Sequence, residues 1–238
     1  MGKMTFQRPS WATSTPRASK SKGTKMPAPH EARSLRILGA TVKARRSGLY
    51  AEADGWLGGV WSKGRISDHN PDPRTGVVRA RDVDVEGIVA QVVVASAMLH
   101  PATRYVIFDG RIYRDADRYR PRIYEGANQH TGYVHVSILR ESAAENSQAP
   151  WELIMGFDWP ELALGSIRKD VRALQALLNA WGASLVVDGL FGSATAVALK
   201  AFQSQRQLLV DGRAGPQTQA ALAQSVPDHQ ILEPATTD

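Results

Sequence analysis

Apolar residues keep one period in the first two thirds of this chain and another in the last third. Between about residues 33 and 140, short apolar runs alternate with Gly, Pro and Asp. From about 163 to 225, apolar residues recur every three to four positions. Alternation suits a sheet with one covered face, whereas the longer period suits helices packed on one stripe, so the two stretches read as different units.

In the first stretch, Val83 and Val85 alternate with Asp82 and Asp84, a strand pattern. The run Ile88 to Leu99, opened by Gly87, is long enough to favour a buried helix despite its valines. Two β-rich runs flank Asp109-Gly110 between Arg104 and Tyr113, which predicts a hairpin with a tight primed turn. Tyr133 to Leu139 alternates again, with Val134, Val136 and Ile138 on one face. These elements predict an α+β domain with helices on a largely antiparallel sheet, followed by an all-α three-helix domain.

The helical stretch contains an echo. Asp188-Gly-Leu-Phe-Gly-Ser-Ala-Thr195 matches Asp211-Gly-Arg-Ala-Gly-Pro-Gln-Thr218, each a Gly-bearing turn leading into a helix. Ser193 reads as the N-cap of one helix and Pro216 as a first-turn proline of the next. Leu174, Leu178, Leu199 and Phe202 read as core, and Asp188 and Asp211 as turn-shaping residues. Together with Val171 to Asn179 and Phe202-Gln203, these turns resemble the widespread peptidoglycan-binding domain of cell-wall hydrolases over roughly 60 residues. The resemblance implies a ligand in the wall, glycan or stem peptide. Trp181, Gln203 and Arg206 are the candidate surface contacts.

The chain has no cysteine, so any transition-metal site must use His, Asp and Glu. Three segments of the first domain supply such groups: Ser67-Asp-His69, Ala80-Arg-Asp82, and His130-Thr-Gly-Tyr-Val-His135. The pleat turns His135 away from Val134 and Val136, and Asp82 and Asp84 away from Val83 and Val85. If the two strands are neighbours, His135 and one of these carboxylates converge, and His69 from the preceding loop completes a three-ligand set. Two histidines and one carboxylate with a position left for water is a catalytic zinc shell. The other reading of a histidine in a Pro-containing turn is structural.

The order Ser-x-His, Ala-x-Asp and a final strand His resembles the zinc peptidases of the D-Ala-D-Ala carboxypeptidase and L-Ala-D-Glu endopeptidase group. Ser67-Asp-His-Asn-Pro-Asp72, Tyr105-Val-Ile-Phe108 and Tyr124-x-Gly-x-Asn-x-His130 are similar to a branch found in phage endolysins of actinobacteria. The resemblance spans most of residues 33–140 and implies a hedgehog/DD-peptidase fold. It makes His69, Asp82 and His135 the zinc ligands, with Asp84 as an alternative or a partner behind them, and Ser67 a substrate contact. Two departures stand out. Extra residues around Asp72 to Thr75 lengthen the His69–Asp82 spacing, and Tyr133 stands where related sequences commonly carry His. Tyr133 suits an oxyanion donor better than a base, since its ordinary pKa is about 10. His130 and Glu125 remain as proton carriers, and His130 titrates nearer the working range.

Charge constrains the partners. The chain carries a net +6, but six of its 29 basic residues fall in the first 30 positions, where there is no acid; the other 23 balance 23 Asp and Glu. That segment also lacks Leu, Ile and Val, so it reads as a disordered arm touching anionic polymers at most. No apolar run there has the length of a secretory signal. The expected layout is a disordered basic arm over 1–32, a zinc peptidase-like domain over 33–140 and a linker over 141–162. A peptidoglycan-binding domain over 163–225 and a disordered tail over 226–238 complete it. The expected activity is hydrolysis of an amide in peptidoglycan stem peptides or cross-links, with Zn2+ as cofactor, by an endolysin-like monomer. It would wait in the host bacterial cytoplasm until release, without membrane insertion or specific nucleic acid binding. The alternatives are a wall-binding protein whose peptidase fold has lost catalysis and, last, a nucleic acid binder acting through the arm.

Overall fold

The computed structural model describes residues 26–45, 67–85, 89–153 and 159–223. Most of the basic arm, Gly87 and Ile88, part of the expected linker and the C-terminal tail lie outside these residues. Short β1 (His30–Glu31) pairs in parallel with β2 (Val77–Val78) beside helix α1 (Arg33–Arg45). The main sheet has the order β3-β7-β4-β5-β6 and is antiparallel throughout, with β3 at Ala80–Asp84, β4 at Thr103–Phe108, β5 at Arg111–Arg114, β6 at Arg122–Ile123 and β7 at Tyr133–Ile138. The expected hairpin is β4–β5. Asp109 and Gly110 have φ of 46° and 68°, the left-handed pair that a two-residue primed turn requires.

One sheet face is closed by α2 (Ala90–Leu99). Val83, Val106, Val134, Val136 and Ile138 are all fully buried. Valine is a weak helix former, yet α2 holds three in a row because it is buried on every side, so packing overrides propensity. The sheet covers one side of α2, and α4 (Lys169–Ala180) covers the other. The chain between the two units carries the short helix α3 (Ser142–Glu145) and also packs. Trp151 is buried, donates from Nε1 to the Ser34 carbonyl at 2.7 Å and stacks on His100 at 3.7 Å.

Helices α4, α5 (Ser193–Gln205) and α6 (Pro216–Leu222) form the C-terminal unit. Its repeat is held by two buried glutamines in equivalent places. Gln175 Nε2 donates to Asp188, to the Leu190 carbonyl and to Thr195, while its Oε1 accepts from the N–H groups of Asp188 and Gly189. Gln203 does the same for Asp211, the Arg213 carbonyl, Thr218 and the Gly212 N–H. Gly189 and Gly212, each directly after its aspartate, have positive φ. Pro216 is the first residue of α6 as expected. Ser193 is not the cap of α5; that position falls one residue earlier, on Gly192, and no side chain caps the helix. Among the described residues, no helix is long and apolar enough to cross a membrane.

Candidate functional site

Asp82 and His135 are directly paired across β3 and β7, and Asp84 faces Tyr133 two residues along. All four share the sheet face opposite the valine core. His69 reaches the pair from a turn in which the Ser67 hydroxyl accepts the His69 N–H at 3.2 Å. The result is tight. Asp82 Oδ1 lies 2.9 Å from His135 Nδ1 and 3.2 Å from His69 Nε2, and the two ring nitrogens are 3.2 Å apart. Four atoms at tetrahedral zinc distances of about 2.0–2.1 Å would stand roughly 3.3 Å from one another, so this donor set fits such an ion. Among the described residues, His69, Asp82 and His135 form one group able to hold a metal, and Asp84 is not part of it.

The electrostatics agree with a cationic guest. Burial pushes the Asp82 carboxyl up, but its bonds to His135 and His69 outweigh that and hold it far below the ordinary range. The longer spacing before Asp82 is absorbed by a self-capped turn. Asp72 Oδ1 accepts the N–H groups of Arg74 and Thr75, which bring its pKa to about 2, and Oδ2 pairs with Arg79 at 3.2 Å.

The remaining expected residues divide sharply. His130 lies beside the trio, its ring 5.5 Å from that of His135 and 5.0 Å from that of Tyr133. It is buried in left-handed backbone (φ 55°), and its Nδ1 has no partner among the described residues. Burial and then His135 lower its pKa, so the ring is neutral near pH 7. Tyr133 accepts a hydrogen bond from Asn128 Nδ2 at 2.5 Å, and burial raises its pKa. Its own hydroxyl proton therefore stays in place, free to be donated. Glu125 is exposed and makes no hydrogen bond to the trio. The Ser67 hydroxyl serves as acceptor within its turn.

In the helical unit, Trp181 lines an apolar groove of about 750 Å3 with Leu185, Val197, Phe202 and Arg111 of the sheet domain. Arg206 stacks on Trp181, its guanidinium carbon 4.2 Å from the ring centre. Gln203 differs from the surface position expected of it. It is only 1% exposed, and its amide is committed to the Asp211 turn.

Sequence reasoning passed over Asp68, Tyr105 and Ser137. Asp68 is buried; Ser137, Arg140 and Tyr105 all donate to its carboxylate, and together they overcome the desolvation that would raise its pKa and hold it low. Ser137 could have been found, since it sits two residues after His135 on the same strand face. Asp68 could not, because its partners lie 36 to 72 residues away.

Residues 168–222 match the family described as "Putative peptidoglycan binding domain". Solved structures similar to part of the chain include a peptidoglycan-binding protein from Clostridioides difficile in complex with glutamine hydroxamate, at 34% identity, 27% of this chain, 40% of that one and a TM-score of 0.27. An endolysin of Burkholderia AP3 phage is 42% identical over 30% of this chain and 29% of its own, with a TM-score of 0.27. A fused Zn-dependent amidase/peptidase/peptidoglycan-binding domain-containing protein from Clostridium acetobutylicum is 35% identical over 29% and 31%, with a TM-score of 0.28. The chain thus spans less than half the length of each. No curated protein matches it.

Proposed function

We propose that this chain is a cell-wall hydrolase of endolysin type: a monomeric zinc peptidase that cuts an amide in peptidoglycan stem peptides or cross-links, held on the wall by residues 168–222. The observation that carries the reading is the convergence of His69 Nε2, Asp82 Oδ1 and His135 Nδ1, with separations of 2.9 to 3.2 Å. The zinc-peptidase resemblance of residues 33–140 and the family of the C-terminal domain support it.

A zinc ion on these three ligands would polarise the scissile carbonyl and lower the pKa of the attacking water to about 7. Asp82 would supply the negative charge that offsets the cation, and the ring nitrogens of His69 and His135 its remaining protein donors. His130, neutral and with Nδ1 unpartnered, accepts the proton released on attack and returns it to the leaving amine. Tyr133, fixed by Asn128, donates to the oxygen that gains negative charge. The helical domain keeps the site near an insoluble substrate, which raises its effective concentration. Storage in the host cytoplasm until lysis belongs to the same reading.

The test is lysis of purified walls with EDTA and then with added zinc. Activity should vanish and return; full lysis in chelator would reject the metal mechanism. Mass spectrometry of the released muropeptides names the bond. Tyr133, in place of the histidine common in related sequences, favours one competing reading, a wall-binding protein without catalysis. Undiminished wall binding by a parent protein that releases no new termini would establish that alternative.

A further inference from the structure

The trio is drawn from three separate segments, and one carboxylate touches the elements that carry all of them. Asp68 precedes His69 in the chain. Its carbonyl accepts the N–H of Arg79, the residue before β3 and its Asp82, at 3.0 Å. Its Oδ2 accepts from the hydroxyl of Ser137 at 2.6 Å, two residues beyond His135 on β7. The same oxygen accepts from the Tyr105 hydroxyl at 2.9 Å, and the Tyr105 ring stacks on the His135 imidazole at 5.5 Å. Arg104 and Arg140 complete the shell at 3.2 and 2.6 Å.

Burying a carboxylate is costly, and this side chain is only 4% exposed. Four side-chain donors compensate it. An ion pair serving stability alone would need no such placement, since a hydrophobic group of similar volume is often as stabilising. Asp68 instead bonds to the β3 entry, β4 and β7 from within the turn that carries His69. Ligand orientation is what such outer partners control in metal sites, and their loss weakens metal affinity.

We propose that Asp68 is the positioning residue of the metal site, fixing His69 through the chain and His135 through Tyr105 and Ser137. This rests on the zinc reading given above. Asn at this position keeps the shape but turns an NH2 group toward donors, so the shell opens. Tyr105→Phe removes one bond to Asp68 and leaves the ring on His135.

The experiment is zinc titration of the chelator-stripped full chain against a competing dye at 20 °C, with folding of each variant checked by circular dichroism. The parent should bind one ion. Asp68→Asn should bind it about tenfold to a hundredfold more weakly, and Tyr105→Phe should fall between the two. Asp117→Asn, which breaks an exposed pair with Arg122, should match the parent. A purely stabilising role for Asp68 would lower the melting temperature and leave zinc affinity at 20 °C unchanged. If Asp68→Asn does not fold, Tyr105→Phe decides. Parent-like affinity in every folded variant overturns the positioning role alone, whereas a parent that binds no zinc overturns the metal reading and this proposal with it.

Discussion

Tyr133 is the residue at which the chemistry of the site is most exposed to test. Its hydroxyl accepts from Asn128, and burial raises its pKa, so at neutral pH it is a donor and not a base. Tyr133→Phe should therefore lower kcat on a soluble stem peptide by about 10²-fold, with KM little changed, because the bond forms only as charge develops. A variant that changes KM alone would assign Tyr133 to substrate binding. The candidate trio was legible in part. Alternation turned Asp82, Asp84 and His135 away from their neighbouring valines, whereas the choice of Asp82 over Asp84 and the inclusion of His69 rested on the zinc-peptidase resemblance. Asn128 and Asp68 were not legible. Both lie in loops, and what they touch depends on the path of the chain rather than on a period.

Among the elements, the paired turns of the C-terminal unit show what a repeat can hide. The echo from Asp188 to Thr195 and from Asp211 to Thr218 is plain in the sequence, but the glutamines that clamp it are not. Gln175 stands 13 residues before its aspartate and Gln203 only eight before its own, so no common spacing advertises them. Gln203 consequently read as a surface contact, whereas it is a buried hub. Gln203→Leu, similar in size but unable to bond, strands the Gly212 N–H and the acceptors around it. It should cost about 1–3 kcal/mol in a denaturant titration. Below its unfolding transition the variant should bind purified walls as the parent does, since a side chain so deeply buried offers nothing to a ligand. Weakened binding by the folded variant would restore the contact role.

Taken whole, the molecule is less modular than its sequence suggests. His100 at the end of α2 accepts the Ala102 N–H on Nδ1 and meets the Ala149 carbonyl with Nε2, so it carries its single proton on Nε2 while stacked on Trp151. Burial lowers its pKa from 6.5, against the pull of the Ala149 carbonyl. Its folded pKa is depressed, so protonation favours the unfolded chain. This contribution is complete above about pH 6.5 and declines as pH falls from there toward the folded value. For chelator-treated protein, the melting temperature should drop between pH 7 and 5, and the drop should be smaller in His100→Phe; equal slopes would remove His100 from the linkage.

The two units also meet directly. Val187 donates to the Arg118 carbonyl at 3.1 Å, Asn179 Nδ2 to that of Tyr119 at 3.3 Å, and α4 covers the side of α2 that the sheet leaves open. A sheet domain cut from such a chain would expose a valine-rich helix face that, among the described residues, the helical unit covers, and apolar patches of that kind drive association. A truncated protein ending at residue 150 should therefore bind a hydrophobic dye, elute as aggregates and melt well below the full chain, even with zinc present. A monodisperse fragment with the parent's melting temperature would show that the helical unit is only a tether. The docked arrangement differs from a tether: the helical domain also closes one side of the sheet domain's core.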